Sequence, residues 1–132
     1  VIEQKVREKA LQEIQHHKQS GHRLILATAS FDFYVEELGS RLGFDTVLCT
    51  KSVWDNNLLQ AEISGDNCYG MSKLNKVIYY VESNFDIAYT IAYSDHHSDI
   101  PLLDWADEAI AINPTNKLKE LATQKKYKII NW

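Results

Sequence analysis

Cysteine is scarce in this chain, which argues against a fold held together by disulfides. Only Cys49 and Cys68 occur, and neither a CxxC pair nor a signal-like apolar N-terminus accompanies them. We therefore expect a reducing, cytoplasmic setting. No apolar stretch approaches the roughly 20 residues that a membrane-spanning helix needs. Methionine is scarcer still, since Met71 is the only one. The chain opens on Val1 rather than on a methionine, so we expect further sequence upstream.

Basic residues are fewer than acidic ones. The 14 basic and 18 acidic residues give a formal net charge of −4, which argues against binding to nucleic acid or to an anionic membrane. With 132 residues, 45 % of them hydrophobic, the composition predicts one globular domain over residues 1–132. The one basic cluster is typical of a solvated helix face and comprises Lys117, Lys119, Lys125, Lys126 and Lys128.

Apolar periodicity predicts helices that alternate with strands, a pattern typical of a mostly parallel sheet covered by helices. Ser30 is the expected N-cap of the second helix. Residues 53–64 carry turn-forming residues at their middle and indicate a small β-hairpin. Strands are expected near residues 24–27, 46–49, 87–93, 109–112 and 127–130, and helices near residues 2–19, 31–42, 71–81, 100–105 and 118–122.

The most informative segment is residues 94–103, Ser-Asp-His-His-Ser-Asp-Ile-Pro-Leu-Leu. It follows a predicted buried strand, so Asp95 and Asp99 would lie just past the carboxyl end of that strand, where open α/β sheets bind ligands. Two carboxylates at this spacing suit a hard cation such as Mg²⁺ better than a soft metal. The alternative is purely structural: Asp95 would cap a turn and Asp99 would open a helix.

Two further polar signals fall at comparable places. Thr28 ends a predicted strand, and Lys73 lies near the start of a helix that follows two glycines. In a parallel sheet, Thr28 and Asp95 would share the carboxyl edge, within reach of Lys73. A phosphoryl group requires such a set of hydroxyl, cation and metal-binding carboxylate. The backbone amides of Ala29 and Ser30 would hold phosphate oxygens at a helix N-terminus.

Taken in chain order, these segments resemble motifs II, III and IV of the haloacid dehalogenase (HAD) superfamily, and most closely its phosphoserine-phosphatase-like subfamily IB. The resemblance spans essentially the whole chain. It implies a three-layer, Rossmann-like α/β core with a mostly parallel sheet. The segments that carry it are Thr28-Ala29-Ser30, Gly70-Met71-Ser72-Lys73 and Tyr93-Ser94-Asp95-His96-His97-Ser98-Asp99, with support from Leu42-Gly43-Phe44-Asp45 and Ala111-Ile112-Asn113-Pro114.

The resemblance also implies a Mg²⁺-dependent phosphatase that acts on a small phosphorylated substrate through an aspartyl-phosphate intermediate. By residue-for-residue carry-over, Thr28 and Lys73 are catalytic and, with Ala29, bind the phosphoryl group. Asp95 is the catalytic Mg²⁺ ligand. Asp99 is assigned to the same metal site and would support it through water or through Lys73.

The first motif of the HAD superfamily, a strand ending in DxDxT, does not occur in the 132 residues. In relatives it supplies the nucleophile, the general acid and a further metal ligand, and a helical cap that selects the substrate follows it. We therefore expect the nucleophile upstream of residue 1 and expect this chain alone to be inactive. A missing N-terminal segment or a self-association partner is expected to complete the sheet, since an absent central strand would expose unpaired backbone.

Two other interpretations stay open at this point. The first is a pseudo-hydrolase of the same fold that binds phosphate or a protein partner without turnover. The second is a transition-metal site, against which stands the fact that adjacent histidines on a helix point in different directions. That site would draw on His16, His17, His22, His96 and His97 together with Asp95.

Overall fold

The chain divides into two compact units, Val1–Cys68 and Tyr69–Trp132, each built on its own three-stranded sheet. The computed structural model describes residues 2–55, 58–64, 69–86 and 88–132, and within these the side chains of residues 8–28, 35–49, 69–86 and 88–132. Both sheets contain parallel strand pairs joined through helices, so the predicted α/β class is confirmed. The prediction of a single domain over residues 1–132 stays a prediction.

The N-terminal unit is a helix followed by a β-α-β element and a hairpin strand. The first two strands pair in parallel, and the third pairs antiparallel with the second, which forms the small hairpin that the sequence predicts. Its elements are α1 (Ile2–Gln19), β1 (Ile25–Phe31), α2 (Asp32–Leu42), β2 (Thr46–Asp55) and β3 (Leu58–Ser64).

Strand β2 is longer than predicted. The polar pair Lys51-Ser52 interrupts the apolar run and suggests a break between a strand at 46–49 and a hairpin from 53 onward. Instead, β2 is continuous and changes partner at that point: Thr46 to Thr50 lie against β1, and Lys51 to Asp55 lie against β3. The backbone of β2 pairs first with β1 and then with β3, so the strand stays continuous where the side-chain pattern alone suggests a break.

Strand β1 also runs past its predicted end. Ala27 lies opposite Leu48 and Phe31 opposite Thr50, so β1 covers four residue steps where β2 covers two. Two extra residues therefore bulge from β1 between these positions. The prediction of Ser30 as a helix N-cap is wrong, because Ser30 belongs to β1 and α2 begins at Asp32.

Glycine at position 39 lets α2 approach β2 closely. A Cβ added at Gly39 would collide with Val47 Cγ2 and lie 3.5 Å from Leu26 Cδ2. The β-branched valine has few alternative rotamers, so we expect Gly39→Ala to lower the free energy of unfolding by about 1–3 kcal/mol despite the better helix propensity of alanine. Urea denaturation checks this. Ser40→Ala at the exposed neighbouring position is the control, and equal midpoints for both variants would contradict close packing here.

The C-terminal unit contains an entirely parallel sheet in the order β4-β5-β6. Ile91 lies opposite Glu108, and Ile110 lies opposite Lys128. No helix among the described residues of either unit is long and apolar enough to cross a membrane. The elements are α3 (Met71–Asn84), β4 (Ile91–Ser94), a short 3-10 helix (His97–Asp99), α4 (Ile100–Trp105), β5 (Glu108–Ile112), α5 (Asn116–Lys125) and β6 (Lys128–Ile130).

Strand β4 begins later than predicted. The Thr90 backbone N–H and Oγ1 both donate to Asp107 Oδ2, at 2.7 and 3.1 Å, so a side chain rather than a neighbouring strand satisfies the Thr90 N–H. Of the residues predicted to open this strand, Ile87 lies outside the described residues. The carboxyl end of β4 agrees with the prediction, because the strand stops at Ser94 and Asp95 follows it.

A small buried cluster holds β4, β5, α4 and α5 together. Alanines on the strands and on α5 allow close approach, and two leucines fill the space between the helices and the sheet. Helix α5 begins at the N-cap Thr115, whose Oγ1 accepts a hydrogen bond from the Leu118 backbone N–H. The cluster comprises Ala92, Leu103, Ala111, Leu118 and Ala122.

A polar tie, formed by Asp104, Lys125 and Tyr127, joins α4 to the segment before β6. Tyr127 Oη and Lys125 Nζ both donate to the Asp104 carboxylate. Partial burial acts to raise the pKa of Asp104, but the two hydrogen bonds and the Lys125 charge outweigh it and hold that pKa below its ordinary value. Burial, reinforced by the Asp104 carboxylate, raises the pKa of Tyr127.

The two shifts predict how this tie depends on pH. A lowered folded-state pKa at Asp104 means that its stabilisation is present above the unfolded pKa of about 3.9 and is lost as pH falls through the folded value. The raised pKa of Tyr127 makes its contribution complete below the unfolded pKa of about 10 and lost as pH rises through the folded value. We expect Tyr127→Phe to cost about 1 kcal/mol at pH 7 and less at pH 3, measured by urea denaturation. An equal cost at both pH values would contradict the assignment.

Candidate active site

The candidate site of the C-terminal unit is built on the turn that leaves β4. Strand β4 ends at Ser94, and the 3-10 helix that follows folds the chain back so that Asp99 returns to the strand end. Ser94 Oγ donates to Asp99 Oδ2 at 2.6 Å and accepts from the His96 backbone N–H at 3.1 Å. The Asp99 backbone N–H donates to the His96 carbonyl at 3.2 Å and closes the turn.

Lys73 joins this turn from α3. It is the third residue of that helix, and its Nζ donates to Asp99 Oδ1 at 2.8 Å. The two side chains are only 10 % and 14 % exposed, so the pair is largely shielded from solvent. Among the described residues, Lys73 is the one buried charged residue. Burial of an ammonium group is unfavourable unless the group is paired. Lys73 is therefore held in position by its ion pair with Asp99 and is not a solvated surface lysine.

The two oxygens of Asp99 are thus both engaged, one by Lys73 and one by Ser94. Sequence reasoning assigns roles to Lys73 and Asp99 but none to Ser94. The signal for Ser94 is its place directly before Asp95, as the last residue of a strand that ends at the ligand-binding edge. A hydroxyl there can orient a carboxylate that a later turn brings back.

Asp95 differs from Asp99 in its exposure and in its side-chain partners. It is exposed, and its carboxylate forms no hydrogen bond or ion pair within the part of the chain that the structure describes. Its backbone carbonyl accepts from the Thr115 N–H at 2.9 Å, which fixes the residue at the carboxyl edge of β4 and β5. Two free carboxylate oxygens thus face solvent from a well-anchored position.

This donor set fits Mg²⁺. The ion binds hard oxygen ligands, and in phosphate-handling sites it commonly takes one or two carboxylates, with water and substrate oxygens completing its shell. Within the described ranges, no group of three His, Cys, Asp or Glu side chains is arranged to hold a metal. Asp95 could hold such an ion together with water and phosphate oxygens, and the metal roles of Asp95 and Asp99 stay predictions.

The histidines of this turn are engaged in other ways. His96 Nδ1 accepts from the Ser98 backbone N–H at 3.1 Å and lies 2.8 Å from Ser98 Oγ. The His96 and His97 rings lie 4.2 Å apart between centroids. Burial lowers the pKa of His97, and His96 and Lys117 lower it further. The His97 Nδ1 atom is buried and has no hydrogen-bond partner among the described residues.

Thr28 and Ala29 lie in the N-terminal unit, on β1, where the strand bulges away from its register with β2. Thr28 is therefore an interior residue of the strand rather than its last one, and it is partly buried. Bulges of this kind re-aim side chains and often lie next to active sites. The structure brings Lys73 and Asp99 into contact, with Asp95 on the same turn, whereas the phosphate-binding roles of Thr28 and Ala29 stay predictions.

Comparison with known proteins shows which family this chain resembles. The family model for haloacid dehalogenase-like hydrolases matches residues 1–104. The phosphoserine phosphatase SerB1 of Mycobacterium tuberculosis (strain ATCC 25618 / H37Rv) is 27 % identical over 116 residues, which make up 87 % of this chain and 38 % of that protein. The chain spans less than half the length of the curated relatives it matches.

Solved structures share the fold. A protein of unknown function from Bordetella pertussis Tohama I matches with a TM-score of 0.83 and 23 % identity, covering 92 % of this chain and 56 % of that one. A substrate-bound phosphoserine phosphatase matches with a TM-score of 0.74 and 22 % identity over the same shares. The predicted resemblance to phosphoserine-phosphatase-like HAD hydrolases is confirmed. The chain belongs to the haloacid dehalogenase-like hydrolase family.

Proposed function

We propose that this chain is part of a Mg²⁺-dependent phosphomonoesterase that acts on a small phosphorylated substrate through an aspartyl-phosphate intermediate. The observation that carries the proposal is the shielded Lys73–Asp99 pair beside the exposed Asp95 at the carboxyl end of β4. Family membership supports hydrolase chemistry, and the phosphoserine phosphatases among the relatives support phosphate esters as substrates. Phosphoserine is the first substrate to test.

Lys73 is suited to hold negative charge during phosphoryl transfer. An ammonium group has three donors, and Asp99 takes one of them at 2.8 Å. The remaining donors would hold a phosphate oxygen and the attacking carboxylate. Because the pair is shielded from water, each such contact is worth more than it would be at the surface. Ser94 and Asp99 act as positioning residues that fix the direction of the lysine.

Asp95 is suited to hold the metal. When bound, Mg²⁺ would neutralise charge on the phosphate oxygens and help align the group for attack. Asp95 offers two oxygens with no competing partner among the described side chains, and its carbonyl contact with Thr115 keeps it in place. Asp99 contributes through Lys73, whose charge it holds at the site.

The nucleophile in this proposal comes from a DxDxT segment outside the 132 residues, which contain no such motif. Its carboxylate oxygen attacks phosphorus, the P–O bond to the substrate breaks, and a general acid protonates the departing alkoxide. Water then attacks the phosphorus of the acyl phosphate and gives a proton to the deprotonated general acid, the aspartyl O–P bond breaks, and inorganic phosphate leaves as the free carboxylate returns. Thr28 and the Ala29 amide are proposed to bind the phosphoryl oxygens, and the chain alone is proposed to be inactive.

The proposal also assigns partners and a location. The same segment, or a second copy of the chain, would pair with an open strand edge and complete the sheet. The chemistry requires no nucleic acid and no membrane span. A cytoplasmic location follows from the scarcity of cysteine and stays a prediction.

A phosphate-release assay tests the function. The gene product that contains these residues is incubated with phosphoserine and other small phosphate esters, with Mg²⁺ and with EDTA, beside the 132-residue chain alone. We expect turnover of at least one ester by the gene product with Mg²⁺ only, and none by the chain alone. No turnover under any condition, combined with retained phosphate binding, would overturn the proposal in favour of a pseudo-hydrolase.

A further inference from the structure

The end of α1 brings two histidine rings into direct contact. Gly21, with φ of 78°, adopts a left-handed conformation that reverses the chain after the helix. The His22 backbone N–H donates to the His17 carbonyl at 3.0 Å, and the Ser20 N–H donates to the His16 carbonyl at 3.1 Å. This turn places His22 Nδ1 2.8 Å from His17 Nδ1.

The contact between the two Nδ1 atoms requires a specific arrangement of protons. Two facing Nδ1 atoms can form a hydrogen bond only if one carries the proton and the other does not. His17 Nε2 lies 3.7 Å from Glu13 Oε2, which favours the proton of His17 on Nε2. His22 Nδ1 is then the donor. A shift of the His22 proton from Nδ1 to Nε2 would leave the lone pairs of the two facing Nδ1 atoms converging on one point.

From this geometry we propose that His17 and His22 form a two-nitrogen site for a borderline divalent transition metal such as Zn²⁺, Ni²⁺ or Cu²⁺, supported by Glu13. Two imidazole nitrogens on one ion, each about 2.0–2.1 Å from it, lie about 2.9–3.4 Å apart. The observed 2.8 Å is close to this range, so a small ring movement accommodates the ion. The chemical class differs from Mg²⁺, which prefers oxygen ligands.

Glu13 has the place of an outer carboxylate in a metal site. A ligating histidine commonly donates its other ring N–H to a carboxylate, which fixes the tautomer and raises ligand basicity. Glu13 lies one helical turn before His17 on α1 and faces its Nε2. The cationic residues next to the two histidines in sequence have partners of their own. Lys18 Nζ donates to the Gly43 carbonyl at 2.9 Å, and an Arg23 guanidinium nitrogen lies 3.9 Å from Asp45 Oδ1.

The site is open to solvent on the His22 side only. His22 is exposed, whereas the His17 side chain is only 12 % exposed. No third His, Cys, Asp or Glu ligand joins the pair within the described ranges, so water would fill the other coordination positions. His16 is the natural control, because it neighbours His17 in sequence yet its ring lies 5.8 Å away, edge-on.

Calorimetric titration of the chain with Cu²⁺, Ni²⁺, Zn²⁺ and Mg²⁺ tests the site. We expect one tight equivalent for Cu²⁺, weaker binding of Ni²⁺ and Zn²⁺, and no comparable binding of Mg²⁺ here. His17→Gln and His22→Gln should each weaken binding about tenfold or more, Glu13→Gln less, and His16→Gln less than about twofold. The double variant His17→Gln/His22→Gln should equal either single variant, because the two ligands act as one unit.

Nuclear magnetic resonance of the unsubstituted chain provides a readout that does not depend on variant folding. Substoichiometric Cu²⁺ should broaden the ring signals of His17 and His22, and of the neighbouring His16, before those of His96 and His97. Broadening centred on His96 and His97 would overturn the proposal. Unchanged Cu²⁺ affinity in His22→Gln would also overturn it.

Discussion

In the gene product that contains these residues, replacing Lys73 with methionine should abolish most phosphatase activity and also destabilise the fold. The substitution removes the ammonium that we propose to hold the phosphate, and removal of one such group in a shielded site costs about 10²–10³-fold in kcat. It also leaves the Asp99 carboxylate, 14 % exposed, with Ser94 as its remaining described partner. An uncompensated buried charge of this kind lowers the free energy of unfolding by about 3–5 kcal/mol.

Two measurements separate these effects. Phosphate release gives kcat, and urea denaturation gives the free energy of unfolding. The double variant Lys73→Met/Asp99→Asn removes the orphaned charge, so we expect it to recover part of the lost stability and none of the lost activity. Lys119→Met removes an exposed lysine of α5 and serves as the matched control. Normal kcat in Lys73→Met would refute the catalytic role, and unchanged stability would refute the importance of the ion pair.

The expected behaviour of this variant depends on a contact that sequence pattern predicts only in part. The chain order of Thr28, Lys73, Asp95 and Asp99 indicates the family, and the end of β4 at Ser94 follows from the polar run after an apolar strand. The bond from Ser94 to Asp99 does not follow, because it requires the 3-10 turn to fold back by a specific amount. Short polar turns have many conformations, and the ion pair between Asp99 and Lys73 of α3 favours the one observed.

The limits of prediction are clearest where one strand depends on another. The bulge that places Thr28 inside β1 arises from the register with β2, which no local pattern in residues 25–31 encodes. The continuity of β2 through Lys51 likewise depends on a change of partner. Helices such as α1 and α4 were predictable because their apolar spacing, glycine and proline signals are all local.

In the gene product, Asp95→Asn should lose activity as Lys73→Met does, but unlike Lys73→Met it should keep its stability. The carboxylate is exposed and has no hydrogen-bond or ion-pair partner among the described residues, so the free energy of unfolding should change by less than about 0.5 kcal/mol. An amide is a much poorer Mg²⁺ ligand than a carboxylate, so we expect kcat/KM to fall about 10³-fold at a fixed Mg²⁺ concentration.

The dependence on Mg²⁺ concentration shows whether the loss arises at the metal. If Asp95 ligates the ion, the variant should require more Mg²⁺ for half-maximal activity, and Mg²⁺ should raise its Tm less than that of the unsubstituted protein. Asp86→Asn removes an exposed carboxylate before β4 and should change neither quantity. An Asp95→Asn variant with normal turnover and normal Mg²⁺ dependence would mean that Asp95 is only a turn residue, and the metal would then have to be held by other groups.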